Sequence, residues 1–173
     1  MEDDVRYVYE NGIMNGVSDT EFDPCGTLTR GMIVTILYRM EGKPAVAYSG
    51  AFSDVPEDAW FTDGVEWAAL TGIVKGYGNG KFGPTDEVTR EQLAAILFRY
   101  AKFKNRDTSS GEDTNILSYT DAFDISDWAF PAMQWACAED VLTDSDGCIR
   151  PADSALRWEV AAAIRAFLEG VAV

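Results

Sequence analysis

Apolar residues recur along the chain at steps of three and four. Leu93, Ile96, Leu97 and Tyr100 form one such set, Ile33, Ile36, Leu37 and Met40 a second, and Val160, Ala163, Ile164 and Phe167 a third. This spacing places each set on one face of a helix. Thr89 stands before the first set with Gln92 three residues on, the pattern of a capping box that opens a helix. A further helix is predicted over Trp60 to Thr71, where Val65, Ala68 and Ala69 share a face and Gly72 is placed to end it. Between the two lies Ile73-Val74-Lys75-Gly76-Tyr77-Gly78-Asn79-Gly80-Lys81-Phe82-Gly83-Pro84, too rich in glycine for either element and read as a shaped loop.

The helix-loop-helix pattern is repeated. At an offset of 60 the chain matches itself at Val5/Val65, Gly12/Gly72, Ile13/Ile73, Gly16/Gly76, Phe22/Phe82, Pro24/Pro84, Thr29/Thr89, Arg30/Arg90, Ile36/Ile96, Leu37/Leu97 and Arg39/Arg99. At an offset of 67 or 68 a third copy appears through Asp54/Asp121, Trp60/Trp128, Trp67/Trp135, Ala68/Ala136, Pro84/Pro151, Arg90/Arg157 and Ala95/Ala162. Duplication is the economical account. The third copy is degenerate, with Asp140 in place of Gly12 and Gly72, Leu156 in place of Thr29 and Thr89, Asp144 in place of the glycine at 16 and 76, and Ala166 in place of Arg39 and Arg99. The first copy has its counterparts of Phe52, Asp54 and Trp60 upstream of residue 1, so the chain is expected to begin inside a helix.

One helical hairpin cannot cover its own apolar stripe, so the three copies are expected to pack into a single all-α body. The copies span residues 1–45, 46–105 and 106–173. The polar stretch Lys104 to Ser118 reads as an exposed, mobile linker before the third.

Composition narrows the chemistry. The chain has 173 residues, enough for one ordinary domain, and is 47% hydrophobic, so it should fold. Fourteen Lys and Arg against twenty-nine Asp and Glu leave a charge of −15, which repels nucleic acid and anionic bilayers. There is no histidine, which removes the common catalytic triads and the commonest transition-metal ligand. Cys25, Cys137 and Cys148 have no metal-site spacing and are odd in number; a bridge between the last two and a pair of free thiols both remain open. No apolar run approaches the roughly 20 residues of a membrane span. The acidic start lacks a signal-peptide core, which suits a cytosolic protein or a piece of a longer one.

Phe52-Ser53-Asp54-Val55-Pro56 with Trp60, Gly72 through Pro84, and Val88-Thr89-Arg90-Glu91-Gln92 together resemble the S-layer homology repeat. The resemblance implies a pseudo-threefold bundle to which each repeat gives one helix, with grooves between repeats. It implies an exported, non-catalytic module at the bacterial cell wall, without cofactor, that attaches surface proteins non-covalently to a secondary cell-wall polysaccharide, often one ending in a pyruvylated amino sugar. A monomeric pseudo-trimer is expected.

On that reading the candidate site residues are Arg30, Arg90 and Arg157, Trp60 and Trp128, Asp54 and Asp121, Gly16 and Gly76, Tyr77, Lys81, Thr29 and Thr89. An arginine in the first helical turn opposes the helix dipole, so its threefold recurrence in an acidic chain asks for a reason. Outward-facing backbone N–H groups beside a guanidinium would suit capture of a carboxylate such as a pyruvate ketal presents. The structural alternative pairs each arginine with an acid of a neighbouring copy, such as Asp54 or Asp121. Trp60 and Trp128 could stack on a sugar, though the residues alone favour packing in the core, as they do more strongly for Trp67 and Trp135. Gly16 and Gly76 could allow close approach of the backbone to a ligand, but supplying positive φ is the favoured expectation. The groove that relies on the degenerate copy should be impaired, leaving the best one at Arg30 or Arg90.

Three other classes compete less well. Twenty-nine carboxylates always offer some acid-base pair, but none lies in a catalytic motif. Asp144-Ser145-Asp146-Gly147 resembles part of a calcium loop, yet that register puts Leu142 at the first ligand position. A purely structural, self-associating module is the serious rival.

Overall fold

The computed structural model describes residues 1–18, 20–142 and 146–170. Its described residues form six α-helices: α1 (Glu2–Glu10), α2 (Arg30–Met40), α3 (Thr62–Leu70), α4 (Arg90–Phe103), α5 (Phe130–Ala138) and α6 (Arg157–Gly170). Short 3-10 turns lie at Ser109–Gly111 and Ala122–Asp124, and among the described residues no extended strand forms. The protein is all-α. Asp144 and Ser145 of the acidic turn Asp144-Ser145-Asp146-Gly147 lie outside the described residues.

The local signals act as read. Thr29 Oγ1 accepts the N–H of Met32 and Thr89 Oγ1 that of Gln92, each at 3.3 Å, satisfying a donor that a helix start leaves orphaned. Gly72, with φ +78°, reverses the chain after α3, and the N–H of Val74 closes back on Ala68 O at 3.1 Å. Asp140 takes the same left-handed conformation with φ +53° after α5, so the third copy keeps the turn without the glycine.

The chain divides into two compact units, whose boundaries fall inside the sequence copies. Unit 2, Leu28–Glu87, holds α2 and α3. They cross closely at Gly64, where a Cβ would stand 3.0 Å from the Cα of Thr35. Ile33, Ile36 and Leu37 are buried there as their spacing predicts, and so are Val34 and Tyr38, so α2 is covered on more than its apolar stripe.

Unit 1, Met1–Thr27 with Val88–Val173, packs α1 on α6 and α4 on α5. Tyr100 and Phe167 meet at 5.2 Å between ring centroids, with Trp135 at 6.5 Å from Phe167. The stretch before the third copy corrects the expectation of a mobile linker. Gly111 lies against the Trp135 backbone, where a Cβ would come within 2.8 Å of its N, and Ile116 is buried. Gln134 Nε2 donates to Thr114 O at 2.9 Å, and Arg106 Nη1 to Phe167 O at 2.6 Å. One small residue and one buried isoleucine fix a segment whose composition is otherwise that of an exposed tether.

Candidate glycan-binding loops

The three arginines occupy one recurring arrangement. Arg30 Nε donates to Phe82 O at 2.9 Å, Arg90 Nε to Ile149 O at 2.8 Å, and Arg157 Nε to Phe22 O at 2.8 Å. Each helix start then docks its first two N–H groups on the same loop. Arg30 and Gly31 donate to Asp86 O and Pro84 O, Arg90 and Glu91 to Asp153 O and Pro151 O, and Arg157 and Trp158 to Gly26 O and Pro24 O. These N–H groups are therefore not turned outward for an anion, which corrects that part of the expected mechanism. Loop carbonyls take the place of the anion at the positive end of each helix.

The acids also differ from the expected pairing. Asp54 Oδ1 and Oδ2 accept the N–H groups of Phe82 and Gly83 at 2.9 and 2.8 Å, and Asp121 accepts those of Ile149 and Arg150 at 3.0 and 2.7 Å. Each carboxylate fastens the chain segment ahead of its helix to the loop that carries the arginine's acceptor. Burial pushes the Asp54 carboxyl up, but the N–H groups of Phe82 and Gly83, aided by nearby Lys81, outweigh it and hold the group below the usual carboxylate range.

The surroundings of the arginines diverge. All three are nearly buried, at 7%, 5% and 6% exposed. The Arg30 guanidinium lies 4.5 Å from the Tyr77 ring centroid and 4.8 Å from that of Phe82, and Arg157 lies 4.6 Å from that of Phe22, all within cation–π range. Arg90 Nη1 instead forms an ion pair with Glu159. The other oxygen of Glu159 accepts the N–H of Leu156 at 2.9 Å, which restores half a capping box where the threonine is lost. Burial lowers the Arg157 pKa from its ordinary value, opposed by Asp23.

Around Arg30 the loop presents exposed groups. Tyr77 is 45% exposed, and its hydroxyl donates to Asp86 Oδ2 at 2.9 Å. Burial and this bond to a carboxylate raise its pKa. Lys81 is exposed, and its backbone carbonyl accepts the N–H of Tyr77 at 2.9 Å. Gly76 has φ +65°, as expected, and a Cβ there would also strike Phe52 and Lys81 O. Gly16 does not share the positive φ. Its missing Cβ lets Glu21 O approach to accept the N–H of Val17 at 2.8 Å.

Trp60 and Trp128 are 59% and 54% exposed, so the core packing favoured for them is overturned. Both stand two residues ahead of their helices, which begin at Thr62 and Phe130, so neither lies on the buried face. Trp67 and Trp135 are buried as expected. The Trp60 ring meets Phe61 edge-on at 5.1 Å, and a Cβ on Gly31, next to Arg30, would lie 3.3 Å from the Cβ of Phe61. Thus unit 2 alone holds Thr29, Arg30, Asp54, Gly76, Tyr77 and Lys81 around one loop, and Trp60 as well, next to Phe61. Unit 1 holds Arg90 with Asp121, Thr89 and Trp128 and, separately, Arg157 with the Gly16 to Phe22 loop. The roles of Glu159 and Phe22 were missed by sequence reasoning, although Phe22/Phe82 was visible as a repeat match.

The S-layer homology domain model matches residues 1–31 and 51–94. The chain belongs to the S-layer homology domain family. It is 28% identical over 169 residues to the exoglucanase XynX of Acetivibrio thermocellus, covering 97% of this chain and 15% of that protein. It is 30% identical over 169 residues to an endoglucanase of Bacillus sp. (strain KSM-635), covering 97% of this chain and 18% of the enzyme. The surface-layer 125 kDa protein of Lysinibacillus sphaericus is 25% identical over 145 residues, 82% of this chain and 11% of that protein. The chain thus spans less than a fifth of each of these relatives. What the enzymes share with a surface-layer protein is this S-layer homology region. No described helix is long and apolar enough to cross a membrane.

Proposed function

We propose that this chain is a non-catalytic anchoring module that holds a larger protein at the bacterial cell wall by binding a secondary cell-wall polysaccharide. The observation that carries the reading is the Arg30 loop. In a chain of charge −15 it holds the Arg30 guanidinium against the exposed Tyr77 ring, with Lys81 exposed on the same loop and Trp60 exposed elsewhere in unit 2.

Exposed rings offer flat apolar faces to the C–H side of a sugar, and the adjoining cations suit an acidic substituent. A pyruvylated amino sugar combines both features. Asp54, Thr29 and Gly76 shape the loop, Trp60, Tyr77 and Lys81 touch the sugar, and Arg30 braces the loop while adding positive potential. Arg90, Arg157, Trp128, Asp121, Gly16 and Thr89 build the related loops, which bind more weakly. The family's occurrence in both surface-layer proteins and polysaccharide-degrading enzymes supports a shared anchoring role over a catalytic one.

Calorimetric titration with purified wall polysaccharide, native and after mild acid removal of ketal-linked pyruvate, tests this. Saturable binding that is abolished by depyruvylation is expected. Equal binding to both would remove the carboxylate from the account, and binding to neither, with concentration-dependent oligomers, would favour self-association.

A further inference from the structure

The chain contains three Asn-Gly pairs, Asn11-Gly12, Asn15-Gly16 and Asn79-Gly80. In such a pair the glycine's backbone nitrogen can attack the asparagine carboxamide, because the second residue has no Cβ to hinder the approach. The structure treats the three differently.

Asn79 stands exposed at the tip of the glycine-rich loop of unit 2, and a Cβ on Gly78 or Gly80 would meet nothing within 4 Å. Its Oδ1 accepts the N–H of Lys81 at 3.1 Å, which closes a turn around the Gly80 nitrogen and polarises the carboxamide carbon Cγ. Among the described residues the Gly80 N–H donates no hydrogen bond, so the attacking nitrogen is available. At Asn11 both reacting groups are engaged: Nδ2 donates to Tyr7 O at 2.8 Å and the Gly12 N–H to Tyr9 O at 3.0 Å. At Asn15 the backbone carbonyl is held by Arg157 Nη2 at 2.7 Å, and Glu21 O lies 2.5 Å from where a Gly16 Cβ would stand. Asn115 repeats the Asn79 turn, its Oδ1 accepting the N–H of Leu117 at 3.0 Å, but the nitrogen between belongs to the buried, β-branched Ile116.

We infer that Asn79 is a site of spontaneous deamidation that turns the neutral tip of this loop acidic. The Gly80 nitrogen bonds to Asn79 Cγ, the Cγ–Nδ2 bond breaks, and the Gly80 amide proton leaves with the amino group as ammonia, closing a succinimide. Water then opens the ring, at Cγ to give aspartate or at the main-chain carbonyl to give isoaspartate. The third copy carries Asp146-Gly147 at this place, and there Gly147 O accepts the N–H of Thr120 at 3.0 Å as Gly80 O accepts that of Ser53 at 2.9 Å, so the loop tolerates the aspartate product. Isoaspartate adds a main-chain methylene directly ahead of Gly80 and shifts its carbonyl away from Ser53. The consequence for binding rests on the proposed function: the new carboxylate, two residues from Lys81, repels an acidic sugar, so attachment weakens as the protein ages.

The test ages the protein in warm, mildly alkaline buffer and maps its peptides by mass and by enzymatic methylation of isoaspartate. Asn79 should gain one mass unit at least about tenfold faster than Asn11, Asn15 or Asn115, the margin set by a hydrogen bond that must first break. Exchange at the Ser53 amide should quicken at least about tenfold in the isoaspartyl product and stay unchanged in Asn79→Asp. Polysaccharide binding should weaken several-fold in aged wild type and in fresh Asn79→Asp, but not in aged Asn79→Gln. Deamidation at Asn79 no faster than at Asn11 overturns the proposal, and equal loss of binding in aged Asn79→Gln overturns its role in ageing. The mapping needs no ligand, so its result is independent of whether the proposed function holds.

Discussion

Arg30 and Arg90 begin their helices alike. Each sets Nε on a loop carbonyl and docks two backbone N–H groups on carbonyls further along, and each loop is held by an aspartate taking two adjacent N–H groups. Their surroundings differ. Arg30 lies under the exposed ring of Tyr77, whereas Arg90 pairs with Glu159 and adjoins Ile149 rather than an aromatic residue. Where Lys81 is exposed beside Arg30, the third copy has Cys148. The backbone device is thus conserved between copies as architecture, while the groups that a ligand would meet vary over it. An arginine repeated three times marks the scaffold, and the neighbours it keeps differ from copy to copy.

Breaking the Arg90 ion pair should have the largest effect. Arg90→Met leaves the Glu159 carboxylate, 13% exposed, without its partner and should cost about 3 kcal/mol in denaturant unfolding. Arg90→Met combined with Glu159→Gln should recover part of that loss; no recovery would mean the pair is not what stabilises this loop.

The shared device is tested next. Asp54→Ala and Asp121→Ala should each cost about 2 kcal/mol, since each leaves two loop N–H groups unpaired. Unequal losses beyond about 1 kcal/mol would show that the two fasteners are not equivalent.

Acid should act on the Asp54 loop in a defined direction. Its folded pKa lies below its unfolded value, near 3.9 by reference, so its stabilisation is full above that value and is lost as pH falls through the folded pKa. Asp54→Asn should flatten the dependence of stability on pH below about 4, measured by urea unfolding at successive pH values. The smallest effect on stability belongs to the exposed tryptophans. Trp60→Ala and Trp128→Ala should each change it by less than about 0.5–1 kcal/mol.

Much of the fold is written in periodicity. The stripes of α2, α4 and α6 and the caps at Thr29 and Thr89 follow from spacing and side-chain chemistry, because those signals are local. Links from Arg30 and Gly31 to Asp86 and Pro84 are not legible, since backbone carbonyls leave no mark in a sequence. Glu159 carries no mark in the sequence beyond its place in the first turn of α6, and its pairing with Arg90 joins helices that are distant along the chain. Trp60 misled because a large aromatic residue at a repeat boundary usually packs inward, whereas here Phe61 takes the buried position beside Gly31. The stretch at 104–118 misled because composition averages over the two residues, Gly111 and Ile116, that anchor it.

Parallel titration of wall polysaccharide into Trp60→Ala and Trp128→Ala tests most directly whether recognition sits at the Arg30 loop. Both variants should retain the wild-type melting curve, while Trp60→Ala weakens binding about tenfold or more and Trp128→Ala leaves it within about twofold. Equal loss in both, or loss only with Trp128→Ala, would contradict the assignment of the binding loop to unit 2.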